Sequence, residues 1–164
     1  MSKNIVLCGV GGQGTILASK LISAAAMAQG LPVKSAETIG MAQRGGSVFS
    51  HIRIGEDAVC PMIAKGTADI ILGFEPGETV RMLPYLRQGG LVVVSKRAVM
   101  PVTAALAGSN YNGEEMVTYL RSVVERLMVV DTDKACHELG SAKIVNLLLL
   151  GAAAASGELG LSVE

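Results

Sequence analysis

The chain has 164 residues, 50% of them apolar, yet aromatics make up 3% and Trp is absent, so a core must be built from Val, Ile, Leu, Ala and Met. At that length a single domain spanning 1–164 is expected, since a chain of this size buries about 70% of the surface its unfolded form exposes. Fourteen basic residues balance fourteen acidic ones, which removes the electrostatic footprint of a nucleic-acid binder or of a protein held on anionic lipid.

Asn4 to Val10 (NIVLCGV) is a short apolar run that ends in glycines. Gln13 to Gln29 follows with apolar and small residues before Gly30 and Pro32 stop it, so the opening reads strand, turn, helix. Leu31 to Ala36 predicts a second strand closed by Glu37. Thr38 to Gly46 is too glycine-rich for a helix, and Ser47 to Ile54 alternates with period two, which predicts a strand. Ala68 to Phe74 and Gly90 to Val94 are continuous apolar runs of strand length, as expected of strands covered on both faces, and Gly77 to Gln88 between them is helical in composition. Asn112 predicts an N-cap for a helix through Val124. Leu127 to Val130 predicts a further strand, and Thr132 or Asp133 a cap for a helix reaching Leu139. Ala142 to Ala155 predicts a helix that is apolar nearly all round and therefore buried, in the domain or against a partner. The tail from Gly157 to Glu164 reads as a loop leading to a helix start at Ser162, so a truncated C-terminus is expected. The alternation predicts an α/β fold: three layers, with a Rossmann-like, mostly parallel sheet flanked by helices and Ser47 to Ile54 as an irregular or antiparallel addition.

Gly9-Val10-Gly11-Gly12-Gln13-Gly14 fits G-x-G-x-x-G between the first strand and the first helix. Such glycines let the backbone approach a phosphate, while free N–H groups and the helix dipole attract the anion. Glu37 lies roughly where a ribose-binding acid would stand, about 20 residues beyond such glycines. The same glycines serve equally well for a tight, closely packed turn. Arg44-Gly45-Gly46 joins a guanidinium to a turn of close backbone approach, suited to a phosphate or carboxylate, and suited as well to tying down a loop. His51 reads as structural or interfacial and His137 as a surface residue. The catalytic residues are unknown from sequence.

Cys8, Cys60 and Cys136 stand far apart without a C-x-x-C pair, so a zinc or iron–sulfur site within the chain lacks ligands, and each reads as a small buried hydrophobe. Scattered cysteines point to a reducing compartment, so a cytoplasmic location is expected. The methionines are spread along the chain and read as gap-filling core or contact residues. Neither a secretory signal nor a run long enough to span a bilayer is visible.

The turn GVGGQG, followed by GMAQRGGSVFSHIRIG from Gly40 to Gly55, resembles the gamma-type domain of pyruvate and other 2-oxoacid:ferredoxin oxidoreductases. AETIGMAQRGGSVFSHIRIG looks most like the beta subunit of the indolepyruvate type, and ADIILGFEPGE and SAKIVNLLLLGAAAASG extend the likeness over nearly the whole chain. The resemblance implies a subunit that works with a larger partner carrying thiamine diphosphate and iron–sulfur clusters. Together they would decarboxylate an aryl 2-oxoacid oxidatively to the acyl-CoA and pass electrons to ferredoxin, in anaerobic metabolism. It further implies that Gly9, Gly11, Gly12, Gln13 and Gly14, with Arg44, Gly45 and Gly46, face the subunit interface or help receive coenzyme A. The competing readings are a stand-alone Rossmann-like nucleotide-binding protein using Gly9 to Gly14 and Glu37, and a structural dimerisation module.

Overall fold

In the computed structural model, residues 2–39, 45–100, 105–106, 108, 110–141 and 144–161 are described. Chain order is β1 (Lys3–Val10), α1 (Thr15–Ala28), β2 (Val33–Ile39), β3 (Ser47–Ile54), β4 (Ala68–Gly73), α2 (Pro76–Met82), a 3₁₀ turn (Leu83–Tyr85), β5 (Leu86–Ser95), α3 (Gly113–Val123), β6 (Arg126–Val130), α4 (Thr132–Glu138) and α5 (Val145–Ala155). The strands form one sheet in the order β2-β3-β1-β4-β5-β6. The pairs β1–β4, β4–β5 and β5–β6 are parallel, and β3 runs antiparallel to both β1 and β2.

The apolar runs of β1, β4 and β5 are explained by burial on both faces. Successive side chains of a strand point to opposite faces. Ile5 and Leu7 accordingly join Ala18, Ile22 and Ala26 of α1 and Val145, Leu149 and Ala153 of α5 in one apolar layer. Val6 and Cys8 join Ile71, Val92, Val94 and Leu120 of α3 in the other. The three-layer α/β architecture expected from sequence is therefore present, and β3 is the antiparallel addition, inserted between β1 and β2.

Several boundaries differ from expectation for physical reasons. Leu86 to Gln88 belong to β5 and not to the preceding helix, because Leu86 pairs with Ala68 across a register shift in β4. The cap of α4 is Asp131, whose side chain accepts the Lys134 N–H at 3.0 Å, so neither Thr132 nor Asp133 holds that position. Asn112 caps α3 as expected, accepting from the Glu114 N–H at 2.9 Å. The apolar helix α5 buries Val145, Leu149 and Ala153 but leaves Leu147 60% exposed. Cys60 is exposed, unlike Cys8 and Cys136, because it lies in the loop after β3. Met27, Met62, Met100 and Met128 are likewise at the surface, so these four are not core residues. Ser162 lies outside the described residues.

Candidate functional site at the carboxyl end of the sheet

β1 ends at Val10, and the chain turns through Gly11 to Gly14 into α1. Because β3 runs antiparallel to β1 with Ser47 opposite Val10, the Gly45-Gly46 turn arrives beside the first glycine turn. The Gly11 N–H donates to the Gly46 carbonyl at 2.8 Å, and the Gly45 N–H to the Gly11 carbonyl at 3.4 Å. Two motifs distant in sequence are thus one piece of backbone. Arg44 itself lies outside the described residues.

Gln13 locks this turn to the next strand. Its Oε1 accepts the Val10 N–H at 2.8 Å, and its Nε2 donates to the Phe74 carbonyl at 3.0 Å. Both ends of the carboxamide are engaged by the backbone, so Gln13 shapes the site, and it also lines the cleft described below. Gly9 is required by close approach, since a Cβ there would stand 2.7 Å from Gln13 Oε1 and 2.8 Å from Phe74 Cβ. Gly14 caps α1 in the left-handed region, with φ at 84°, a conformation that glycine adopts at little cost.

Beneath β4 lies an acidic cluster that sequence reading missed. Glu75, 1% exposed, accepts the Glu78 N–H at 2.9 Å through Oε2, capping α2. Its Oε1 accepts from the Tyr111 hydroxyl and from the Val99 N–H at 3.4 Å, and the Tyr111 oxygen accepts the Gly77 N–H at 3.0 Å. Burial, and then the hydrogen bond to Glu75, pushes the Tyr111 phenol up. Glu78, 5% exposed, accepts from Ser47 Oγ at 2.6 Å and pairs with Arg81 at 3.5 Å. Ser47 directly follows the Gly45-Gly46 turn, so Glu78 braces that turn from below. The signal was in E-P-G-E, where an acid at the cap, Pro at the first helical position and Glu three residues on form a capping pattern. Cys8 lies nearby with its thiol pushed far up by burial, which leaves it neither nucleophile nor metal ligand.

A cleft of about 450 Å³ opens where Gly12 and Gly14 meet Leu17, Arg97, Val145 and Asn146. A recess of about 530 Å³ lies at the opposite end of the sheet, around Gln88 to Gly90 and Val123. Open α/β sheets bind ligands beyond the carboxyl ends of their strands, which selects the first.

The expected ribose-binding acid is not in place. Glu37 is exposed and pairs with Ser50 of β3, and Ser50 in turn pairs with Leu7 of β1. An entire strand therefore separates Glu37 from the strand that carries the glycine turn, and the dinucleotide reading loses its second element. His51 is 1% exposed, accepts the Ile63 N–H at 3.0 Å through Nδ1 and packs between the rings of Phe49 and Tyr85. Burial lowers its pKa, so it is a neutral core residue. His137 is exposed on α4.

A family profile described as pyruvate ferredoxin/flavodoxin oxidoreductase matches residues 4–164. The chain belongs to this family. Within it, the "Indolepyruvate oxidoreductase subunit IorB" of Archaeoglobus fulgidus is 40% identical over 152 residues, covering 92% of this chain and 75% of that protein. The IorB of Pyrococcus horikoshii is 37% identical over 166 residues, covering 98% of this chain and 81% of its own length. Among solved structures, the pyruvate oxidoreductase subunit PORC of Thermotoga maritima shares the fold, with a TM-score of 0.65 at 24% identity over 96% of this chain and 78% of that one. The 2-oxoacid oxidoreductase resemblance carried by GVGGQG and AETIGMAQRGGSVFSHIRIG is therefore correct, and the stand-alone nucleotide-binding reading is not favoured. Among the described residues, no group of three or more His, Cys, Asp or Glu is placed to hold a metal ion. Cys8 and Cys136 sit in different apolar layers. The donor set of this chain does not fit an iron–sulfur cluster.

Proposed function

We propose that the chain is the small subunit of a 2-oxoacid:ferredoxin oxidoreductase of the indolepyruvate type, acting on an aryl 2-oxoacid. The observation that carries this reading is the 40% identity to an indolepyruvate oxidoreductase subunit over 92% of the chain. In the proposed reaction the carboxyl carbon of the 2-oxoacid leaves as carbon dioxide and the acyl carbon forms a thioester with coenzyme A. The electron pair released passes to ferredoxin through iron–sulfur clusters of the larger subunit. Thiamine diphosphate, bound by that subunit, would stabilise the acyl carbanion. This chain's own part is positional: the joined turns, with Arg44 next to Gly45 in sequence, supply a surface for the larger subunit or for the phosphates of coenzyme A.

Co-expression with the large subunit encoded beside it, followed by size-exclusion chromatography and anaerobic dye reduction with a panel of 2-oxoacids, tests the reading. Co-elution, with indolepyruvate and phenylpyruvate turned over faster than pyruvate, is the expected result. Separate elution contradicts the subunit reading, and a preference for pyruvate contradicts the substrate class.

A further inference from the structure

Three separate segments at the carboxyl end of the sheet are held by one short corner, Phe74 to Glu78, where β4 gives way to α2. The Phe74 carbonyl accepts from Gln13 of the first glycine turn at 3.0 Å, and Glu78 accepts from Ser47, beside the second turn, at 2.6 Å. Between them, Glu75 takes hold of the connection from β5 to α3 at two points. One is the Val99 N–H near its start, at 3.4 Å, and the other is the Tyr111 hydroxyl at its end, one residue before the α3 cap Asn112.

Glu75 is 1% exposed, and among the described residues no lysine or arginine pairs with it. Its carboxyl oxygens are met by the Glu78 and Val99 N–H groups and by Tyr111, so the tyrosine is the one side-chain donor among them. A buried polar group holds its partners firmly, because losing one leaves it unpaired away from water. Gly77 shows how closely the hydroxyl is seated. Its N–H donates to the Tyr111 oxygen at 3.0 Å, and a Cβ on Gly77 would stand 2.8 Å from that oxygen and 3.1 Å from Glu75 Oε2. The φ of Gly77 is not in the left-handed region, so this contact, and not the backbone, is what excludes a larger residue there.

Arg97 and Val99, on the connection that Glu75 holds, face Gly12 and Gly14 across the same cleft. The distance between these two walls is therefore set at the corner. A group that fixes the supports of a site governs its geometry without touching what binds there. We propose that Tyr111 is a positioning residue: through Glu75 and Gly77 it fixes the β5–α3 connection against the corner that also carries both glycine turns, and so sets how closely the carboxyl end of the sheet fits coenzyme A. This rests on the proposed reception of coenzyme A at the joined turns.

The test uses enzyme reconstituted from the larger subunit and the full chain, with anaerobic dye reduction measured against coenzyme A and then against indolepyruvate. Tyr111→Phe keeps the ring and removes the hydroxyl. It is expected to raise the KM for coenzyme A roughly tenfold, while kcat and the KM for indolepyruvate stay within about twofold. Gly77→Ala displaces the same hydroxyl, so it is expected to reproduce that rise in the wild type and to add little to Tyr111→Phe. Tyr119→Phe, on the exposed side of α3, is the control that leaves every value unchanged. An unaltered KM for coenzyme A in Tyr111→Phe, equal rises in both KM values, or rises that add in full in the double variant overturn the proposal. Melting curves establish that each variant folds, and if Tyr111→Phe does not, Gly77→Ala decides alone. A wild-type enzyme without coenzyme A-dependent turnover contradicts the subunit reading itself, whereas an active wild type matched by Tyr111→Phe contradicts this assignment alone.

Discussion

Gln13 illustrates how a residue inside a ligand-like motif can serve the scaffold. With Oε1 on the Val10 N–H and Nε2 on the Phe74 carbonyl, it joins the ends of β1 and β4. Gln13→Ala leaves both backbone groups unpaired, and a loss of about 1–3 kcal/mol is expected. For a chain of this size that lowers the melting temperature by about 2–4 °C per kcal/mol. Gln13→Glu keeps the acceptor and loses the donor, so its urea midpoint is expected between wild type and Gln13→Ala. Two equal midpoints would mean that the bond to Phe74 contributes nothing. His51 makes a second prediction at this scale. Its folded pKa is lowered from 6.5, so the neutral form is favoured in the folded state. Stability from this residue is complete above 6.5 and is lost as pH falls from there towards the depressed folded value. Protonation would also remove the acceptor that Ile63 uses. Urea midpoints at neutral and mildly acidic pH should therefore fall more steeply for wild type than for His51→Gln, and parallel curves would count against this placement.

At the scale of elements, the strands and helices were legible because their signals are local. Continuous apolar runs marked β1, β4 and β5, and a side-chain cap marked α3 at Asn112. What sequence did not show depends on pairing. Period two identified β3 without revealing that it inserts between β1 and β2, and that placement both joins the two glycine turns and separates Glu37 from β1. The Glu75–Tyr111 contact escaped notice for the same reason, since its partners are 36 residues apart. The brace between β3 and α2 carries a prediction. Ser47→Ala removes the 2.6 Å bond to Glu78, which is 5% exposed and, among the described residues, is left with its partner Arg81 at the surface. A cost of about 1–3 kcal/mol is expected for the carboxylate left short of a donor. Asn112→Ala, which removes an exposed cap and an exposed bond to Glu115, is expected to cost about 1 kcal/mol. Chemical denaturation of the two variants side by side checks the order, and a cap variant that proves the weaker would reverse the weighting given to these contacts.

For the whole molecule, composition and topology point the same way. An α/β sheet and its helices, in a chain of balanced charge, present glycine turns, a cleft and the apolar Leu17, Leu21 and Leu147 at the surface. The described residues hold no metal-binding cluster, and no helix among them is long and apolar enough to cross a membrane. The family could be read from two motifs in order, because each is specific and both survive as sequence. The arrangement at the carboxyl end could not, because Arg97, just beyond β5, and Asn146 of α5 line the cleft without a motif to announce them. The most direct test of the central claim is an omission experiment: coenzyme A-dependent reduction of a viologen dye by the purified large subunit, with indolepyruvate, before and after this chain is added back. The account predicts negligible turnover by either protein alone and full turnover on mixing. Equal turnover by the large subunit without this chain would contradict it.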